Sequence, residues 1–245
     1  MSEQHLEERV LAIWQTRRAR VLFRLLSRLV WLIGLIWLRT KVVGAERLKA
    51  KGAFIIAPVH RSNLDAPLVN SRCPRIVRSL AKKEMFPAGV GTWVSAMLGA
   101  FPVHRGVGDR RSLQAAADLM KRGEPLLVFP EGTRQSGGHI GEIFGGAAFL
   151  AARSGVPILP VGIAGTEEAM PPGAKFPRRV PITIVVAEPL LPPDLENGRL
   201  SSDQRHEFTI RLREAMQTAM DQAVELASTR RVRRRQRTRR DDEVL

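Results

Sequence analysis

Three stretches of the chain bring together residue types able to move a proton and to hold an anion. In the first, Phe54-Ile-Ile-Ala-Pro58 leads into Val59-His60-Arg61-Ser62-Asn63-Leu64-Asp65-Ala66-Pro67. A carboxylate that accepts the Nδ1 proton of a histidine leaves Nε2 free to act as a general base. His60 and Asp65 are five residues apart, so in an uninterrupted helix their side chains would diverge by about 140°. They meet only if the chain turns between them. Pro67 favours such a turn, because proline suits a first helical turn and Asp65 or Asn63 is a good N-cap. Taken alone, the pair also admits a reading in which the acidic residue does nothing but cap.

The second stretch is Leu126-Leu-Val-Phe129 followed by Pro130-Glu131-Gly132-Thr133-Arg134. Here Glu131 and Arg134 flank a Gly-Thr pair whose backbone N–H groups are expected to cradle a phosphate or a developing oxyanion. The third, Gly99-Ala-Phe-Pro-Val-His104-Arg105-Gly106, puts a further cation after a short extended run. Together they describe a site that activates a hydroxyl on a phosphorylated substrate. Nucleophilic catalysis by the chain is less attractive: Cys73 has no histidine nearby in sequence, and neither a Gly-x-Ser-x-Gly elbow nor a Gly-x-x-x-x-Gly-Lys-[Ser/Thr] loop occurs. Five scattered histidines without metal-ligand spacing predict no metal site.

From Lys41 onward, short apolar runs alternate with helical patterns, which predicts a single α/β domain with a largely parallel sheet flanked by helices. Strands are expected near 41–44, 53–58, 76–81, 125–129, 158–163 and 181–187, and helices near 65–71, 89–98, 110–122, 143–154 and 203–227. The reactive stretches then fall at the carboxyl ends of strands, where open α/β sheets gather their functional groups. At 245 residues and 44% hydrophobic content, the chain can bury a substantial core.

The formal charge of +15 points to an anionic partner. Residues 1–41 hold eight basic and three acidic side chains, and residues 230–245 hold eight arginines against Asp241, Asp242 and Glu243. Arg17, Arg20, Arg24 and Arg28 share a helical stripe, with Leu22, Leu25, Leu26 and Leu29 mostly on other faces. The apolar run Leu29–Leu38 that follows is half the length of a membrane span, so an interfacial insertion with Trp31 and Trp37 near the headgroups is expected. A core helix of the globular domain is the competing interpretation. Beyond Ser228 no apolar periodicity remains, and a solvated, flexible tail is expected. The division is thus 1–40 membrane-associating helices, 41–228 catalytic domain and 229–245 Arg-rich tail.

His60-x-x-x-x-Asp65, Gly99-x-Phe-Pro-Val-x-Arg105, Phe129-Pro-Glu-Gly-Thr-Arg134 and Val156-Pro-Ile-Leu-Pro160-Val161 resemble, in order and spacing, the four blocks of the glycerolipid acyltransferases, most closely the 1-acylglycerol-3-phosphate acyltransferases. The likeness covers residues 40–190 and includes Leu80-Ala-Lys82-Lys83-Glu84-Met85-Phe86, which resembles the family's basic segment. The resemblance implies transfer of a fatty acyl group from coenzyme A or acyl carrier protein, as co-substrate and without a further cofactor, to the free hydroxyl of a lysophospholipid. In that scheme His60 is the base and Asp65 its orienting partner, while Arg105, Glu131, Gly132, Thr133 and Arg134 form the acceptor site. Another lysolipid or an amino-lipid is the alternative acceptor. The membrane lipid and an anionic bilayer surface are the implied partners, at the cytoplasmic face of the cell membrane in a peripheral or monotopic manner. A non-catalytic peripheral membrane or nucleic-acid-binding protein would explain the termini but has no need of three reactive turns. This chain departs from the family pattern in having Val59 before the histidine, His104 before Arg105, and Phe144-Gly-Gly-Ala147 without the usual lysine.

Overall fold

The computed structural model describes residues 6, 9–10, 12–14, 16–82, 86, 89–97, 99–103, 110–195 and 198–243. A seven-stranded sheet organises the molecule, in the order β1-β7-β6-β2-β5-β3-β4. Its strands are β1 (Lys41–Val43), β2 (Ile55–Pro58), β3 (Arg78–Lys82), β4 (Ala100–Val103), β5 (Leu126–Leu127), β6 (Ile158–Ala164) and β7 (Thr183–Val186). Every pair is parallel except β6 with β7. The expected mixed α/β fold is therefore present. The run at 100–103, read from sequence only as extended, joins as the edge strand.

The central strands are apolar along their whole length because both of their faces are covered. Ile55, Ile56 and Ala57 of β2, and Ile158, Leu159, Val161 and Ile163 of β6, are all buried. Each fully buried aliphatic side chain of this kind contributes about 1.5–3 kcal/mol. The helices are α1 (Arg17–Ile36), α2 (Asp65–Asn70), α3 (Val90–Met97), α4 (Arg110–Lys121), α5 (Gly146–Ser154), α6 (Thr166–Ala169) and α7 (Ser202–Glu243). α5 packs against both α4 and α7, and α7 lies across β6 and β7. Gly162 allows that close approach, since a Cβ there would sit 2.1 Å from the Ala219 carbonyl.

The N-terminal segment packs one side against the core and leaves the other exposed. Leu6, Val10, Trp14, Ala19 and Phe23 are buried, and Trp14 meets Phe23 edge to face at 5.3 Å. Gly34 lets α1 settle on Leu68 of α2. The opposite side of α1 exposes Val21, Leu22, Leu25, Leu29, Leu32, Ile33 and Ile36. Arg17, Arg24 and Arg28 are exposed beside this apolar face. No described helix is long and apolar enough to cross a membrane. Trp37 is exposed as expected, whereas Trp31 is half-buried under the Arg72 guanidinium at 3.8 Å.

The C-terminal region differs from the expected flexible tail. The backbone of α7 stays helical to Glu243. Nothing interrupts it, because residues 202–243 contain neither glycine nor proline and arginine is a good helix former. Arg230 also anchors the start of the basic stretch: Nη2 donates to the Arg39 carbonyl at 2.7 Å and Nη1 to the Ile182 carbonyl at 3.1 Å.

Candidate active site

Strands β2 and β5 are neighbours, with Ile55 opposite Leu126 and Ile56 opposite Leu127. The Val128 amide extends the pairing by donating to the Ile56 carbonyl. Their carboxyl ends therefore leave the sheet side by side, which brings the His60 turn against the Glu131 turn. Val59, at the position where the family often has asparagine, is a buried residue whose amide donates to the Val161 carbonyl.

The chain does reverse between His60 and Asp65. Nδ1 of His60 lies 3.2 Å from Oδ2 of Asp65, and the amides of Arg61 and Ser62 donate to that same oxygen at 2.7 Å each. Asp65 is not the N-cap. It is the first residue of α2, Leu64 precedes it without a side-chain cap, and its carboxylate reaches back to organise the turn. Nδ1–H is the histidine tautomer that completes this set of donors to Oδ2. Nε2 is left as the acceptor nitrogen. The His60 ring stacks on Phe129 at 3.8 Å, so the strand exit of β5 fixes the imidazole plane. Asp65 is wholly buried, while the His60 side chain keeps 17% of its surface accessible.

Glu131 is placed differently from the expected acceptor contact. It is buried, and Oε2 accepts the His60 backbone N–H at 2.7 Å. Both its oxygens also accept from Nη1 of Arg61, at 2.7 and 3.0 Å. Arg61, buried as well, donates further to the carbonyls of Gly137, His139 and His60. Arg61 is thus a residue built into the site that the sequence reading missed. An arginine beside a histidine carries no pattern that marks it as buried; only the pairing of β2 with β5 brings a carboxylate within reach.

The amide cradle expected at Gly132-Thr133 is already engaged. Gly132 N–H donates to the Phe129 carbonyl and Thr133 N–H to the Glu131 carbonyl. Gly132 sits at φ +71°, and a Cβ there would lie 2.6 Å from the Phe144 ring. Glycine is required by both conformation and space. Side chains are therefore what the turn offers to an anion: Thr133 and Arg134 are exposed, and Arg134 has no hydrogen-bond or ion-pair partner among the described residues.

Arg105 and His104 lie outside the described residues, as do Lys83, Glu84 and Met85. The strand that leads to Arg105, β4, is three positions from β2 in the sheet. At the usual strand spacing this is about 14 Å. No group of described residues has the donors to hold a metal ion. Cys73 is buried and donates to the Leu48 carbonyl, and burial pushes its thiol pKa up, consistent with a packing role.

The chain that carries this histidine–aspartate pair and glycine-arginine turn has relatives among known proteins. Residues 39–164 match the Acyltransferase family, and the chain belongs to it. It is 32% identical over 142 residues to a chloroplastic 1-acyl-sn-glycerol-3-phosphate acyltransferase of Brassica napus, covering 56% of this chain and 40% of that protein. It is also 32% identical over 113 residues to a lyso-ornithine lipid O-acyltransferase of Pseudomonas aeruginosa, covering 46% and 43%. The matched regions span about half or less of the first curated relatives. The crystal structure of the 1-acyl-sn-glycerophosphate acyltransferase PlsC from Thermotoga maritima superposes with a TM-score of 0.63 at 24% identity, over 86% of each chain. The fold is shared with that structure.

Proposed function

We propose that the protein transfers a fatty acyl group from acyl-coenzyme A or acyl-acyl carrier protein to the free hydroxyl of a lysophospholipid, with 1-acylglycerol-3-phosphate as the acceptor and phosphatidic acid as the product. The observation that carries this reading is the contact between His60 Nδ1 and Asp65 Oδ2 inside a turn clamped by Glu131. Nε2 takes the proton as the acceptor oxygen attacks the thioester carbonyl. The new ester bond forms, the carbon–sulfur bond breaks, and the imidazolium returns the proton to the departing thiolate. Asp65 stabilises the imidazolium in between, and no acyl-enzyme is needed. Arg134 and Thr133 offer the acceptor phosphate a cation and a hydroxyl, with Arg105 as a further cation.

The exposed apolar face of α1, edged by Arg17, Arg24 and Arg28, suits an interfacial position on an anionic bilayer at the cytoplasmic face. Neither a long-chain acceptor nor its product leaves a membrane readily, so catalysis at that surface is economical. The named Pseudomonas relative supports a second reading, an amino-lipid acceptor with the same chemistry.

A purified preparation given labelled acyl donors and a panel of lysolipids tests both readings. Turnover confined to phosphate-bearing acceptors, with the Michaelis constant raised about ten-fold or more by Arg134→Gln, supports the first. Turnover on lyso-ornithine lipid alone replaces it with the second, and no acyl transfer to any lysolipid refutes both.

A further inference from the structure

The segment 170–180, Met-Pro-Pro-Gly-Ala-Lys-Phe-Pro-Arg-Arg-Val, belongs to none of the reactive stretches. It follows α6 and holds an aromatic side chain out in solvent, with Phe176 82% exposed. Lys175, Arg178 and Arg179 beside it are exposed too, and none has a carboxylate partner among the described residues. The nearby acidic residues of α6 are occupied: Glu167 accepts the Gly137 amide and Glu168 pairs with Arg231.

The loop cannot simply fold this ring away. Pro171, Pro172 and Pro177 stiffen it, Ala174 N–H closes a turn on the Pro171 carbonyl, and Arg178 N–H donates to the Ala169 carbonyl at 2.7 Å. Its two attachments matter most. At one end, the Met170 carbonyl accepts the Ser62 hydroxyl at 3.0 Å, two residues from His60. At the other, the Pro177 carbonyl accepts Trp37 Nε1 at 3.1 Å, at the end of α1, and Arg179 lies 5.6 Å from the Trp37 ring centre. The loop therefore runs from the catalytic turn to the end of the exposed apolar helix face.

We propose that this loop is a second membrane-contact element, in which Phe176 enters the interfacial layer of an anionic bilayer while Lys175, Arg178 and Arg179 meet the lipid phosphates. Three cations without a carboxylate partner, beside one exposed aromatic ring, complement an anionic interface in charge and polarity. Trp37 makes the loop continuous with the apolar face of α1, and Arg231 brings the basic end of α7 to the same region. With two contacts instead of one, the molecule cannot pivot about α1. The Ser62 bond then sets the height of the catalytic turn above the lipid surface. This inference rests on reading α1 as a membrane element and adds the orientation.

The full chain carrying Phe176→Cys tests it, labelled with an environment-sensitive fluorophore; Cys73 is buried and stays unlabelled in the folded protein. Vesicles of phosphatidylcholine with phosphatidylglycerol are expected to shift the emission to the blue, and lipids brominated on the acyl chain to quench it. Phe176→Ser should weaken vesicle binding about ten-fold. Arg178→Gln and Arg179→Gln should each weaken it about five-fold at low salt. A silent label at 176 beside a responsive one in Leu25→Cys overturns the proposal while leaving α1 on the membrane. Silence at both positions refutes the membrane reading itself. A response to acyl carrier protein and not to vesicles also overturns the proposal, making the loop a protein-docking site.

Discussion

The turn around His60 and the outer side of α1 are built on opposite plans. In the turn, one aspartate oxygen is shared by His60 and two backbone amides, and one glutamate binds both a backbone amide and a buried guanidinium. On α1, seven leucines and isoleucines stand exposed to solvent. The proposed proton transfer requires groups held at hydrogen-bond distance, and the over-determined turn holds them so. The lipid contact proposed for α1 is non-directional and scales with area, so it asks of the helix face only exposure and a flanking charge. Changes in the first region should therefore act on chemistry and folding, and changes in the second on where the molecule resides.

The largest effect should come from His60→Ala, which removes the proposed base and is expected to cut turnover by two to four orders of magnitude, about the range for general-base catalysis. Far-ultraviolet circular dichroism and melting temperature should be close to those of the parent, because the ring stacks only on Phe129 and remains partly accessible. Asp65→Asn should lose activity to a comparable degree and some stability as well, since its buried carboxylate also gathers the Arg61 and Ser62 amides. Near-full turnover by His60→Ala would remove the mechanism.

Next in size is the Arg61–Glu131 pair. Removing one partner, as in Arg61→Met or Glu131→Leu, leaves an uncompensated buried charge and should cost about 3–5 kcal/mol in chemical denaturation. The double variant should recover a good part of that stability, because replacing both charges avoids the stranded ion. It should not recover turnover, because the His60 backbone has lost the acceptor of its N–H. If the double variant is as active as the parent, the pair is a packing element and does not position the base.

Region two offers the contrasting measurement. Leu25→Gln with Leu29→Gln should leave the melting temperature within a degree or two, since surface substitutions away from special features rarely exceed about 0.5 kcal/mol. Sedimentation with anionic vesicles should fall at least ten-fold. Deleting residues 1–38 cannot serve the same purpose: it would also remove Trp14 and Phe23 from the core. Equal loss of stability and of vesicle binding in the double substitution would mean that the exposed face is covered in the folded protein.

How far the sequence reveals each region follows from what holds it. Strands such as Ile55–Pro58 and Ile158–Ala164 are legible because burial on both faces leaves an uninterrupted apolar run. His60 and Asp65 are legible because two residue types at one spacing, beside a helix-starting proline, imply a turn. Glu131 and Arg61 were not, since whether a carboxylate faces substrate or core depends on which strands are neighbours, and β2 meets β5 across some seventy residues of chain. The Phe176 loop was likewise hidden: proline, glycine and arginine in a row look like any surface connection until Trp37 is found bonded to it.

The smallest effect concerns the basic end of α7, which bonds to the chain where α1 joins the sheet. Arg230 reaches the Arg39 carbonyl, at the junction of α1 with the sheet, and the Ile182 carbonyl beside β7, with Thr183 Oγ1 at 3.3 Å. Burial pushes the pKa of its guanidinium down from the ordinary arginine value, yet two carbonyls and a hydroxyl remain as its acceptors. Net of exchange with water, these bonds should contribute about 1–2 kcal/mol. Two truncations separate that contribution from the rest of the arginines. Ending the chain after Ser228 should lower the melting temperature by roughly 2–8 °C for a domain of this size, whereas ending it after Val232 retains Arg230 and should leave it unchanged. Both should weaken binding to anionic vesicles at low salt, by about 1 kcal/mol for each arginine that would reach the surface. If the two truncations melt together, Arg230 does not clasp the sheet, and the basic stretch acts on placement alone.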